Sequence, residues 1–194
     1  MASRICLTPY FKDVRYVFLD RDGVIGRKPP EGEYISQWKS FHIVPGAETA
    51  ISSLRRSGRR VIVVTNQRGV ALGRYSCEEV EELHSRLQHH LADHGTRIDA
   101  FYYCPHDNGG NCDCRKPKPG LFQRAFRDFH DATPENSLMI GDSISDIEGA
   151  CNLGMASIFI RGDDKTQKPG SERAVLLADR VCDSLLQAVD QYLL

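Results

Sequence analysis

Hydrophobic residues recur along this chain with two alternating periods, and the alternation is the first clue to its architecture. Short apolar runs rich in β-branched and aromatic residues occupy positions 16–19, 61–64, 98–103, 137–140 and 156–160, each bounded by charged residues, Gly or Asn. Runs of this length and composition predict buried strands. Between them the spacing turns helical. Ala47, Ala50, Ile51 and Leu54 share one helical face, and the pattern stops at Gly58, the residue type that most readily adopts the left-handed conformation past a helix end. Ser76 followed by Glu79 reads as a capping box, and Val80, Leu83, Leu87 and Leu91 then lay an apolar stripe along a helix ending near Gly95. His84, His89, His90 and His94 fall in or beside this helix and read as its solvated face. Phe122, Phe126 and Phe129 predict the packed side of a further helix. Strands alternating with helices predict an α/β fold, a Rossmann-like three-layer sandwich with a parallel sheet covered on both faces.

No internal repeat or low-complexity tract interrupts this rhythm. Residues 26–37, rich in Pro, Gly and Glu, and residues 161–171, rich in charge and Gly, are too short for interdomain linkers, so residues 1–194 are expected to form a single domain. The first of these stretches follows the first strand directly, where an active-site flap would sit.

Charge narrows the partners. Twenty-five Lys and Arg against 26 Asp and Glu give a formal charge of −1, so no global basic field gathers nucleic acid or an anionic membrane. Any anion must be bound locally. No apolar run approaches the roughly 18 residues of a bilayer span, and residues 1–16 lack the apolar segment of a secretory signal. A cytoplasmic protein is expected. In such a compartment seven cysteines form a poor disulfide framework, and three of them, Cys104, Cys112 and Cys114, lie within eleven residues beside His106. Three thiolates and an imidazole are ligands zinc prefers, and a set of four leaves no vacancy for substrate. Cys104, His106, Cys112 and Cys114 are therefore expected to hold a structural Zn2+ that stiffens the Gly-containing residues 108–111 and aims the cations after them. The ligands are too close in sequence to enclose a nucleic-acid-reading helix. Cys151 is expected to be a small buried side chain, while Cys6, Cys77 and Cys182 have no assigned role.

The chemistry concentrates at strand ends. The first strand runs into Asp20-Arg21-Asp22-Gly23, the second into Thr65-Asn66-Gln67, and the fourth into Gly141-Asp142-Ser143-Ile144-Ser145-Asp146. Ligands of open α/β sheets bind outside the carboxyl ends of the strands, although Asp and Gly are also common in ordinary turns. Between the last two strings, Arg115-Lys116-Pro117-Lys118-Pro119-Gly120 forms a cationic turn opening a helix, which favours an anion. Carboxylates for a hard cation, a hydroxyl and amides for oxyanions and a lysine for charge together describe a phosphoryl-transfer site.

These four strings resemble the motifs of the haloacid dehalogenase-like phosphohydrolases, over roughly residues 16–160. Thr65-Asn66-Gln67-Arg68-Gly69, Cys104-Pro105-His106 and Cys112-Asp113-Cys114-Arg115-Lys116-Pro117 are similar to the zinc-containing branch with heptose 1,7-bisphosphate 7-phosphatases and histidinol-phosphate phosphatases. The resemblance implies that Asp20 is the nucleophile and forms an aspartyl phosphate, and that Asp22 is the general acid and base. It implies Mg2+ held by Asp20, the main-chain carbonyl of Asp22, and Asp142, with Asp146 ordering the loop or the outer metal shell. Thr65, Asn66 and Gln67 would contact the phosphoryl group, and Lys116 would neutralise its charge. Arg68 and Arg115 are candidates for a second phosphate. The substrate is then a phosphorylated sugar, most plausibly D-glycero-D-manno-heptose 1,7-bisphosphate. Histidinol phosphate is the alternative, and a non-catalytic zinc-stabilised binding protein is the alternative of another class. Polynucleotide 3′-phosphatase domains share two of the strings but not the cysteine loop. The sequence departs from the heptose group at Arg68, at Ser143 and in the longer loop 26–34, all of which touch specificity. With no large cap domain visible between the first two motifs, a monomer with an open site is expected.

Overall fold

Six strands form one parallel sheet in the order β3-β2-β1-β4-β5-β6. They are β1 (Tyr16–Leu19), β2 (Arg60–Asn66), β3 (Ala100–Cys104), β4 (Ser137–Gly141), β5 (Ala156–Ile160) and β6 (Arg180–Cys182). This computed structural model describes residues 11–30, 32–162 and 169–194; Cys6, Glu31 of the expected flap and residues 163–168 of the charged stretch lie outside the described residues. Alternation along the central strands sends side chains to two cores. Val17, Leu19, Val61, Val63, Leu138 and Ile140 pack on one face against α1 (Ala47–Arg56), α2 (Cys77–Asp93) and α6 (Leu185–Tyr192). Tyr16, Phe18, Ile62, Val64 and Met139 pack on the other against α3 (Gly120–Asp128) and α4 (Ile144–Leu153). The short α5 (Ser171–Leu177) joins that second layer through Ala174, which clusters with Ile147 and Phe159. The three-layer α/β sandwich is the expected one, because a strand buried on both faces needs helices on both.

Several local signals act as expected. The Ser76 main-chain N–H donates to Glu79 at 2.9 Å and the Glu79 N–H donates to the Ser76 hydroxyl at 3.2 Å, closing the capping box at the start of α2. Gly58, with φ +83°, follows the end of α1. Phe122 is fully buried with its ring 5.5 Å from that of Phe18, and Phe126 and Phe129 pack against the same core.

Other positions differ. Strand β2 continues through Thr65 and Asn66, and β3 is displaced by one to two residues. Strand β6 is three residues long and pairs only with β5, so no local periodicity announces it. Two side chains lie opposite to their expected placement. Cys151 is exposed on α4, and His84 is buried because it points into the apolar side of α2 and stacks on Phe101 at 4.7 Å. Between β1 and α1 the described residues form a loop with one 3-10 turn, Trp38–Ser40, and no domain-sized insertion. No helix among the described residues is long and apolar enough to cross a membrane.

Candidate active site

The sheet order reverses direction between β1 and β4, and the carboxyl ends of these neighbours deliver Asp20 and Asp142 side by side. Their carboxylate oxygens and one of Asp146 lie within 4.8 Å of one another, and all three residues are buried. Such a concentration of anionic oxygen requires cations. Lys116 supplies one: its Nζ is 2.6 Å from Asp146 Oδ1 and 3.1 Å from Asp20 Oδ1, and it donates to the Val64 carbonyl at 2.6 Å. Burial disfavours the ammonium, but Asp146 and Asp20 outweigh burial and hold Lys116 above the ordinary lysine value. Lys28 supplies the other from the loop after β1, with Nζ 2.5 Å from Asp142 Oδ2. Three carboxylates against two ammoniums leave an all-oxygen donor set with excess negative charge, the chemistry of a hard divalent cation site. Gly23 makes the close approach feasible. Its φ is +102°, and a Cβ there would lie 2.1 Å from Asp142 Oδ2.

Asp22 is held differently. Arg21, almost fully buried, grips it with two parallel bonds, Nε to Oδ1 at 3.0 Å and Nη2 to Oδ2 at 2.9 Å. Gln67 Nε2 donates to Asp22 Oδ2 at 3.0 Å and to the Thr65 hydroxyl at 2.9 Å, while its Oε1 accepts from Arg21 at 3.0 Å and from Tyr75 at 2.7 Å. Its amide is therefore saturated. Burial pushes the Tyr75 phenol up to about 12, which keeps it a neutral donor. Arg21 Nη1 reaches His84 Nε2 at 3.3 Å; a guanidinium only donates, so that ring nitrogen accepts and His84 is neutral. Burial, then the Arg21 charge, drive His84 down to about 3.

Two residues expected to contact the phosphoryl group line the cleft and are also engaged by the protein itself. Gln67 holds Asp22 and Thr65. Asn66 braces the lysine turn, donating to the Lys116 carbonyl at 3.1 Å and accepting from its N–H at 3.0 Å. The Thr65 hydroxyl oxygen accepts from Gln67, and Thr65 lines the cleft. Asp146 accepts from the Ser143 N–H at 3.1 Å and hydroxyl at 2.6 Å, so it caps α4 as well as pairing with Lys116.

Beside this centre, Cys104, His106, Cys112 and Cys114 gather four ligand atoms within 4.8 Å. Cys104 Sγ lies 3.5 Å from His106 Nδ1 and 3.9 Å from Cys112 Sγ, and Cys114 Sγ lies 3.3 Å from His106 Nδ1. Ligand atoms around a tetrahedral zinc with bonds of about 2.0–2.3 Å sit roughly 3.3–3.8 Å apart, so the spacing fits that ion. The sulfurs are too far apart for a disulfide. Burial and the neighbouring Cys104 push the Cys114 thiol up to about 12.

Residues 113–188 match the HAD-hydrolase-like family model. A Vibrio cholerae D-glycero-beta-D-manno-heptose-1,7-bisphosphate 7-phosphatase is 39% identical over 92% of this chain and 95% of its own length. The chain belongs to the haloacid dehalogenase-like phosphatases. A Mycobacterium bovis D-glycero-alpha-D-manno-heptose-1,7-bisphosphate 7-phosphatase is 44% identical over 73% of this chain and 74% of its own. Among solved structures, the D,D-heptose 1,7-bisphosphate phosphatase of B. bronchiseptica, complexed with magnesium and phosphate, superposes with a TM-score of 0.78 at 27% identity, over 92% of this chain and 97% of that one.

A cleft of about 490 Å³ is lined by Asp20, Asp22, Thr65, Asn66, Gln67 and Lys116 together with the flap residues Lys28, Pro29, Pro30 and Tyr34. Arg68 and Arg115 complete its rim beside the cysteine loop. Arg68 is paired with Asp107, and Arg115 donates to the His106 carbonyl at 3.2 Å, so both cations are fastened to that loop. Sequence reasoning missed Arg21, Tyr75 and His84 as parts of the site, and it placed Lys28 in the flap without its partner Asp142. A basic residue between two acids was a local signal for the first; the others approach only through the fold.

Proposed function

We propose that this phosphatase removes the 7-phosphate of a D-glycero-D-manno-heptose 1,7-bisphosphate. The observation that carries the reading is the second cationic group in the cleft: Arg68 and Arg115 stand on the rim of the pocket that holds Asp20 and Lys116, as a substrate with two phosphates requires. The names of the relatives support the same sugar. Asp20 attacks phosphorus in line, forming an aspartyl phosphate as the sugar oxygen leaves. Asp22 passes a proton to that oxygen and then takes one from the water that hydrolyses the aspartyl phosphate. Lys116 and the Thr65 hydroxyl face the phosphoryl oxygens and balance their charge. Asp20, Asp142 and the main-chain carbonyl of Asp22 would hold Mg2+, whose charge would polarise the phosphoryl group. Zn2+ in the cysteine cluster would fix the loop that carries Arg115 and braces Arg68. Residues 1–194 are read as one domain acting in the cytoplasm as a monomer, with the flap beside the cleft.

The test is a phosphate-release screen with Mg2+ over both anomers of the heptose bisphosphate, heptose 7-phosphate, histidinol phosphate and a 3′-phosphorylated oligonucleotide. Highest kcat/KM on one heptose bisphosphate anomer, reduced to background in Asp20→Asn, is expected. Preference for histidinol phosphate or the oligonucleotide overturns the substrate, and turnover surviving Asp20→Asn overturns the nucleophile. Arg115→Ala should raise KM about tenfold for the bisphosphate and much less for the monophosphate, as expected for one lost charge-assisted contact.

A further inference from the structure

Three side chains unused by the phosphatase chemistry converge where α1 meets the end of α2. Glu48 lies in the first turn of α1, His90 in the last turn of α2, and His94 caps α2. Each offers a ligand atom within 4.8 Å of the other two. His90 and His94 stand one helical turn apart with ring centroids separated by 4.4 Å, and His90 Nε2 is 3.0 Å from Glu48 Oε1. The decisive detail is the tautomer of His94. Its Nδ1 lies 2.8 Å from the His90 main-chain carbonyl, which can only accept, so Nδ1 carries the proton and Nε2 presents its lone pair. A second-nitrogen bond to a carbonyl is how metal-binding histidines are oriented. An ordinary His90–Glu48 ion pair would account for two members of the cluster but not for the third. His89, on the same helix, bonds the Ser85 carbonyl and lies outside the cluster.

We propose that Glu48, His90 and His94 bind one divalent first-row transition metal ion, separately from the catalytic cleft and the cysteine cluster. Two imidazoles and a single carboxylate suit copper, nickel, zinc or cobalt and disfavour magnesium, which prefers oxygen and keeps its waters. Half-buried Glu48 and His90 and exposed His94 leave the remaining coordination positions to water. The ion would tie α1 to the end of α2.

The molecule carries its own reporter. Trp38 is the single tryptophan, and its ring centroid lies 5.5 Å from that of His90. Ni2+ is added to the protein as purified, in Mg2+ buffer, and quenching of Trp38 fluorescence is followed with calorimetry in parallel. Saturable quenching at one equivalent is expected. Glu48→Gln and His94→Gln should each weaken it at least about tenfold, and His89→Gln should leave it unchanged. Uptake by the cysteine cluster would be common to all four proteins and therefore subtracts out. Circular dichroism and turnover of an aryl phosphate confirm that each variant is folded; His90→Gln replaces any variant that is not. The site is refuted by absent or unsaturable quenching in the parent protein. Wild-type affinity in either ligand variant, or equal loss in His89→Gln, refutes it as well.

Discussion

In the proposed mechanism Asp22 is an acid in one half-reaction and a base in the next, and three donors from Arg21 and Gln67 fix its orientation. Gln67 donates to Asp22 and to Thr65, with Tyr75 and Arg21 locking its amide oxygen. Gln67→Met should therefore lower kcat on the order of 10–100-fold, part of what a positioned acid–base contributes, while KM moves little. Steady-state kinetics on an aryl phosphate separates the two; a KM effect as large as the kcat effect would return Gln67 to substrate contact. The strand-end acids and the cysteine cluster were legible because each is a short run in the sequence. The support around Asp22 was not, since Gln67 reaches it across the sheet and Tyr75 and His84, which hold Gln67 and Arg21, approach only through the packing of α2 and the loop before it. Asn66 shows the same limit: the Lys116 main chain that it braces lies 50 positions along the chain.

Elements form where local signals and burial agree. The Ser76–Glu79 capping box starts α2 as the sequence indicates, and Ser76→Ala should cost about 1 kcal/mol in urea denaturation with no change in turnover. The four ligand atoms gathered in the cysteine loop make the proposed zinc testable at this scale. Elemental analysis of purified protein should return about one zinc per chain, and Cys114→Ser should lose it. In that variant KM for the bisphosphate should rise while hydrolysis of an aryl phosphate persists, because the loop aims Arg68 and Arg115 but not Asp20. Zinc content unchanged in Cys114→Ser would remove this role. Strand β6 marks the opposite case: three residues acquire their conformation from pairing with β5, and nothing in Arg180-Val181-Cys182 alone distinguishes strand from loop.

Stability of the whole molecule is tied to pH through His84. Its folded value of about 3 lies below the ordinary 6.5, so between these values the unfolded chain binds the extra proton and stability falls as pH drops. The full contribution is present above about pH 6.5. Within the window the loss approaches about 1.4 kcal/mol per pH unit. Urea denaturation at pH 7.5 and 5.0 should show a smaller pH-dependent loss in His84→Gln than in the parent protein; equal losses would mean that His84 titrates freely in the folded state. By itself the sequence determined the layered α/β class, the strand-end acids, the lysine turn and the cysteine cluster, because periodicity, capping and ligand spacing are properties of neighbouring residues. Only the tertiary structure decided that His84 turns inward, that Arg21 and Gln67 hold Asp22, that Lys28 reaches Asp142, and that Glu48 meets His90 and His94. Apart from the grip of Arg21 on its neighbour Asp22, those contacts join residues tens of positions apart, and their geometry exists only once the sheet has brought the strand ends together and α1 and α2 have packed on its face.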